Sequence, residues 1–133
     1  MFKLGIIGTG SISHEFIKAA QSTGDYQLAA VYSRTLTSAE RFVQNYENTA
    51  VYIEMLDFLS SDIDIVYIAS PNSLHFNHAK VAILARKHVI VEKPAVSRPK
   101  EWRELVKLAD EHQVYLFEAA RNYHEQAFDT ISD

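Results

Sequence analysis

The sequence predicts an α/β fold: a doubly wound, mostly parallel sheet of about six strands with helices on both faces. Three observations predict it. A short apolar run near the N-terminus ends in a glycine turn that leads directly into helix-compatible sequence. Short apolar runs then alternate with segments of helical periodicity along the chain. Those runs, such as Q-L-A-A-V-Y-S over residues 27–33, are nearly continuous, as in strands covered on both faces. Parallel neighbours need a crossover, and helices of the length found here supply it, so this cadence calls for right-handed βαβ units.

Taken in order, Leu4, Ile6 and Ile7 predict the first strand, which ends in Gly8-Thr9-Gly10. Ile12, Phe16, Ile17 and Ala20 recur at helical spacing and predict a helix over 11–21, closed by a turn at Ser22-Thr23-Gly24-Asp25. After the second strand, at 27–33, Thr37 is the expected cap of a helix reaching Tyr46, with Glu40 completing a capping box. A short strand at 50–52, a short helix at 54–59 and a strand at 63–69 follow, the last running up to Pro71. Residues 73–86 form a helix with Phe76, Ala79, Val81, Ala82, Ile83 and Leu84 mostly inward. A buried strand spans 88–91, a turn lies between Pro94 and Pro99, and a helix over 100–112 turns Trp102, Leu105, Val106 and Ala109 inward. Residues 114–117 read as the sixth strand, and Ala127, Phe128 and Ile131 start another helical pattern over 123–133.

Composition narrows the function. The 133 residues suit one domain, and 13 basic against 17 acidic residues, a net charge of −4, leave no basic field for nucleic acid. No apolar run approaches the ~20 residues that span a bilayer, so no membrane partner is expected. The absence of cysteine excludes a disulfide framework and thiol chemistry, and fits a cytoplasmic setting.

The glycine turn carries the first functional reading. A helix that begins directly after a buried strand points unpaired backbone N–H groups over the crevice, which is an anion site. Gly8 allows the tight turn, and Gly10 lets the backbone approach a pyrophosphate; Ser13 stands where the G-x-G-x-x-G fingerprint of a Rossmann-type fold has Gly or Ala. A glycine turn that binds nothing is the bland alternative. Three of the four glycines, Gly5, Gly8 and Gly10, lie in this one stretch, which favours a dinucleotide contacting Gly8, Thr9, Gly10, Ser11 and Ile12. The second strand ends Tyr32-Ser33-Arg34-Thr35 without the carboxylate that usually accepts from the adenosine ribose. Ser33 can donate to a phosphate and Arg34 can pair with it, so the expected cofactor is NADP, with NAD possible.

Ligands of open α/β sheets bind beyond the carboxyl ends of the strands. Ser70, Pro71, Asn72 and His75, then Glu92-Lys93-Pro94, then residues 118–124, reach that edge. Lys93 follows directly on a buried strand and emerges at the rim, where an ammonium can donate to a substrate hydroxyl or carbonyl as charge develops on oxygen. It is therefore the candidate catalytic residue as well as a cofactor contact, with Glu92 beside it to orient it or to accept from backbone. Asn72 and His75 offer an amide and an imidazole to a ribose or nicotinamide. His75 and His78 formally permit a metal pair, but no convincing third ligand is nearby, so no metal is expected and a capping or packing role suits His78. His14 reads as exposed or packed, and His88 and His112 as structural.

These residues resemble the N-terminal cofactor domain of the Gfo/Idh/MocA oxidoreductases, the family of glucose-fructose oxidoreductase and inositol dehydrogenase. The likeness runs through Gly8-Thr9-Gly10, Ser33-Arg34, Pro71-Asn72-x-x-His75, Val91-Glu92-Lys93-Pro94 and Glu118-Ala119-Ala120-Arg121. The pairing of Pro71-Asn72-x-x-His75 with Glu92-Lys93-Pro94 is its specific part. The resemblance implies a nicotinamide-dependent oxidoreductase acting on a sugar, polyol or related hydroxyl or carbonyl compound, with Lys93 orienting substrate or assisting proton transfer. It implies a cofactor domain over 1–120, with Arg121 and Tyr123 near the junction and 121–133 opening a C-terminal α/β substrate domain. That second domain would wall the substrate, supply a further histidine and mediate a homo-oligomer, so this chain alone is expected to hold cofactor without turnover. A non-catalytic dinucleotide-binding or redox-sensing module is the competing reading.

Overall fold

The computed structural model describes residues 1–119. Six strands form one sheet: β1 (Phe2–Ile7), β2 (Tyr26–Tyr32), β3 (Ala50–Tyr52), β4 (Ile65–Ile68), β5 (His88–Glu92) and β6 (Leu116–Ala119). Their order is β3-β2-β1-β4-β5-β6, and every neighbouring pair is parallel. The helices are α1 (Ser11–Ser22), α2 (Leu36–Phe42), α3 (Met55–Ser60), α4 (His75–Leu84) and α5 (Pro99–His112). The strand order reverses direction at β1, so the crevice between the ends of β1 and β4 is the switch point of a doubly wound sheet.

Burial on both faces follows from the continuous apolar runs. In β4 all four residues are fully buried: Ile65 and Tyr67 join one core with Leu4, Ile6, Phe16 and Ile17, while Val66 and Ile68 join the other with Phe58, Ala79, Ile83 and Leu105. Alternate side chains thus fill opposite faces. The Phe16 and Tyr67 rings stack at 3.8 Å and fix α1 over the sheet centre. Each such fully buried Ile, Leu or Phe is worth about 1.5–3 kcal/mol relative to exposure, which is why this short strand can anchor the centre.

Several elements depart from the sequence reading for local reasons. Thr35, not Thr37, caps α2: its backbone is extended (φ −125, ψ 142) and its Oγ1 accepts from Ser38 N–H at 3.3 Å. Thr37 therefore lies inside the helix, and Glu40 makes no capping box with it. The segment ends as a 3₁₀ turn at Val43–Asn45. The predicted 73–86 helix opens as a 3₁₀ turn, Asn72–Leu74, before α4 begins at His75. Within α4 and α5 the sheet side is held by Ala79, Ala82, Ile83, Leu105 and Ala109, whereas Val81, Leu84 and Val106 are exposed, because they fall off that stripe. Glu101 Oε1 accepts from Arg98 N–H at 3.2 Å, and Pro99 opens α5. At its other end Gln113 is left-handed (φ 56) and Val114 N–H returns to Ala109 O. Val114 thus serves helix termination, and β6 starts two residues later than its apolar pattern suggests. The helical pattern at 123–133, with Arg121 and Tyr123, lies outside the described residues.

Candidate functional site

Three strand ends and one helix start converge on the switch point. Gly8 follows β1 with φ 114, a left-handed backbone that glycine alone adopts easily. Gly10 is the N-cap of α1, and no side chain caps that twelve-residue helix. Its first N–H groups are therefore offered to a ligand, the geometry of an anion site. Ser13 is fully buried and donates from Oγ to Gly8 O at 2.8 Å. At the third fingerprint position it both leaves room for packing and ties the turn down.

A cavity of about 320 Å³ opens beside this turn. It is lined by Gly8, Thr9 and Gly10 of the turn, by Ser70, Pro71 and His78, and by the β2–α2 corner of Ser33, Arg34, Thr35 and Ser38. Ser33 is buried and Arg34 exposed. Thr35 Oγ1 donates to Ser38 Oγ at 2.9 Å, so the corner holds three hydroxyls and a guanidinium, and no carboxylate among the described residues lines it. Thr35 and Ser38 escaped the sequence reading; the signal that could have found them was the hydroxyl-rich run T-L-T-S directly after Ser33-Arg34.

A second cavity of about 140 Å³ is lined by Ile12, Ala69, Ser70, Asn72, His75, Glu92 and Lys93. Ala69 and Ser70 border both cavities. Ser11 opens α1 at the surface and lines neither. The residues of this turn suit a pyrophosphate: the α1 N-terminus has no side-chain cap, and a Cβ at Gly10 would meet nothing within 4 Å, so packing does not require glycine there.

Around Lys93 the backbone is held from several sides. Lys93 N–H donates to Ala119 O at 3.1 Å, and Ala95 N–H donates to Glu118 Oε2 at 2.7 Å. The Lys93–Pro94 peptide is cis. The lysine side chain is exposed and enters neither ion pair found among the described residues. Glu92 is buried, and Tyr67, a residue of the 63–69 run that nothing in the sequence singles out, donates its hydroxyl to Glu92 Oε2 at 2.6 Å.

His75 is placed differently from the sequence expectation. Its ring is only 1% exposed, Nδ1 lies 2.8 Å from Pro94 O and Nε2 lies 2.7 Å from Ser70 O. Both polar atoms face backbone, so the imidazole ties loops together and has neither nitrogen left for a ribose or nicotinamide. His78 packs edge-on to Tyr32 and pairs through Nδ1 with Ser70 Oγ at 2.8 Å. His14 stacks on Phe42, with Nδ1 2.6 Å from Tyr46 Oη. Among the described residues no three His, Asp or Glu side chains are grouped to hold a metal ion, and no helix is long and apolar enough to cross a membrane.

Two histidines give the fold an acid-side dependence. Burial, and secondarily the neighbouring His75, lower His78 from the ordinary 6.5. Burial likewise lowers His88, against an opposing contribution from Asp64, and His88 Nδ1 accepts from Tyr115 N–H at 3.0 Å. A ring whose folded value lies below its unfolded value binds protons more readily in the unfolded chain. Stability is therefore expected to be level above about pH 7 and to fall as pH drops through 6.5 toward the lowered folded values. Urea midpoints measured from pH 7.5 to 5 check this; a His88→Asn variant should show a shallower acid-side decline, and an unchanged slope would remove His88 as a contributor.

Comparison with known proteins places this geometry. A family described as an oxidoreductase family with an NAD-binding Rossmann fold, GFO_IDH_MocA, matches residues 2–120. The chain is 39% identical over 130 residues to the uncharacterized oxidoreductase YgjR of Escherichia coli, covering 93% of this chain and 40% of that protein. It is 38% identical over 122 residues to the scyllo-inositol 2-dehydrogenase (NADP(+)) IolU of Bacillus subtilis, covering 91% of this chain and 37% of that one. The crystal structure of the WlbA dehydrogenase from Chromobacterium violaceum, in complex with NADH and UDP-GlcNAcA, matches with TM-score 0.81 at 26% identity, over 89% of this chain and 34% of that chain. The chain thus spans about two-fifths of the length of the curated relatives it matches. The glycine turn, the all-parallel sheet and the family match over residues 2–120 lead to one assignment: the chain belongs to the GFO_IDH_MocA oxidoreductase family, as its NAD-binding Rossmann domain.

Proposed function

We propose that the protein is an NADP-dependent oxidoreductase acting on a sugar, polyol or related hydroxyl or carbonyl compound, and that residues 1–120 are its cofactor-holding domain. The observation that carries the reading is the pair of adjoining cavities, one ending in Ser33, Arg34, Thr35 and Ser38 and the other in Lys93. In this reading the α1 N-terminus and the glycine turn hold the pyrophosphate. The hydroxyl and guanidinium corner accepts the 2′-phosphate, and Asn72, Glu92 and Lys93 border the nicotinamide end. Bound there, the coenzyme supplies hydride exchange. Lys93 donates from its ammonium to the substrate oxygen, and Glu92, held by Tyr67, fixes the strand end from which Lys93 projects. The activity for which IolU is named, NADP(+)-dependent dehydrogenation of scyllo-inositol, supports the cofactor and the substrate class. Residues 121–133, Arg121 among them, then open a second domain that walls the substrate and carries contacts between subunits. The present chain forms one wall of the site and is inactive by itself, because hydride transfer needs both reacting carbons held in contact.

Calorimetric titration with NADP and then NAD at one ionic strength tests the cofactor. A preference for NADP of tenfold or more, about 1.4 kcal/mol, is expected, and Arg34→Ala should weaken NADP at least tenfold more than NAD. Equal losses would sink the phosphate assignment. Formation of NADPH by the complete protein with scyllo-inositol and other polyols tests the reaction; tight cofactor binding without turnover across sugars and polyols would favour a non-catalytic sensing module.

A further inference from the structure

We propose that His75 is a positioning residue for this site: its ring, seated between two backbone carbonyls, straps the Lys93–Pro94 loop to the turn that follows β4. The inference rests on the reading of Lys93 given above. The first residue of α4, His75 sits buried between those two segments, 2.8 Å from Pro94 O through Nδ1 and 2.7 Å from Ser70 O through Nε2. Carbonyl oxygens only accept, so whichever ring nitrogen carries hydrogen donates to the carbonyl it faces, and the buried ring fills the space between the two segments. Ser70 is in turn fixed twice from α4, at its carbonyl by His75 and at its hydroxyl by His78.

The strap has a direct bearing on Lys93. The Pro94 carbonyl held by His75 lies between Lys93 N–H, bonded to Ala119 O, and Ala95 N–H, bonded to Glu118 Oε2. Three successive residues are thus pinned by two elements, α4 at one point and β6 at two. Ser70, on the far side of the strap, borders both cavities. Loosening the ring therefore shifts Lys93 relative to the floor on which ligand would rest, and a displacement of about 1 Å can reduce turnover by about 10²-fold.

Nitrogen NMR of the His75 ring tests the strap without any variant. A ring N–H protected from solvent exchange and hydrogen-bonded to a carbonyl is expected, and a His75 ring whose N–H exchanges as freely as an exposed one overturns the proposal. His75→Gln in the complete protein should lower kcat by about 30- to 100-fold, while KM and the NADP Kd change less than about threefold. Acylation of Lys93 by acetic anhydride, read by mass spectrometry against Lys80, should change at least about threefold in the variant. Unchanged kcat and unchanged Lys93 labelling in a folded variant overturn the positioning role. If the wild-type protein transfers no hydride with any substrate, the functional reading fails, while ring NMR and labelling still decide the strap.

Discussion

Gly8→Ala is expected to destabilise the domain by about 3 kcal/mol or more, while Gly10→Ala, two residues on, leaves stability within about 0.5 kcal/mol of the parent or slightly raises it. At Gly8 two penalties coincide. The backbone holds φ 114, which an L side chain resists, and a Cβ there stands 2.6 Å from Ala69 O and 2.7 Å from Ala69 C. Those atoms belong to the backbone just past β4, where Ala69 N–H donates to Ile7 O at 2.8 Å. Relief would therefore have to break the pairing of the two central strands. At Gly10 the backbone is extended (φ −88, ψ 177), and a Cβ meets nothing within 4 Å. Alanine fits there without strain and reduces the freedom of the unfolded chain. Its methyl group occupies ligand space instead, so NADP affinity should fall tenfold or more. Urea melts of both variants and a titration of Gly10→Ala check the contrast. Similar melts for the two, or full affinity in Gly10→Ala, would mean that the turn is shaped by packing alone.

Lys93→Ala should lower turnover of the complete protein by about 10²- to 10³-fold, the usual size of losing one donor at a developing oxygen charge, and leave NADP affinity within about threefold. The side chain is exposed, so its truncation removes little packing, and the change in stability should stay within about 0.5 kcal/mol. The backbone pins at Lys93 and Ala95 do not involve its side chain and remain in place. Single-turnover kinetics with a substrate that the wild type accepts separate the two quantities. A variant that turns over within threefold of wild type would take Lys93 out of the reaction. A comparable loss in cofactor affinity and turnover would recast it as a binding residue.

The sequence makes legible what local chemistry determines. Leu4, Ile6 and Ile7 running into Gly8-Thr9-Gly10 announce a strand, a turn and a helix start, and the nearly continuous apolar run at 27–33 announces a strand of a sheet covered on both faces. Lys93 was legible because charge placed directly after a buried strand has to emerge at the sheet edge. The unread parts depend on segments meeting across the chain. Tyr67 and Glu92 are 25 residues apart, Ala95 and Glu118 are 23, and His75 and Pro94 are 19. Nothing in the neighbours of His75 shows that two carbonyl oxygens will close on its ring, so its imidazole read as a group free for ligand. Thr35 and Thr37 are equally good caps by type; only the extended backbone at Thr35 decides between them.

The position of β1 at the switch point also shapes how the chain is made. Lys3 and its partner on the β4 side, Asp64, are separated by 61 residues, while β2 begins at residue 26. At about 5–20 residues per second, β1 leaves the ribosome roughly 3–12 s before its second neighbour exists. Until β2 emerges it has no sheet partner, and from then until β4 emerges it keeps one open edge of unpaired backbone groups, an invitation to foreign strands. The fold's most central strand is thus also its earliest liability during synthesis, and slowing translation between β1 and β4 should increase nascent-chain aggregation more than slowing it after β4.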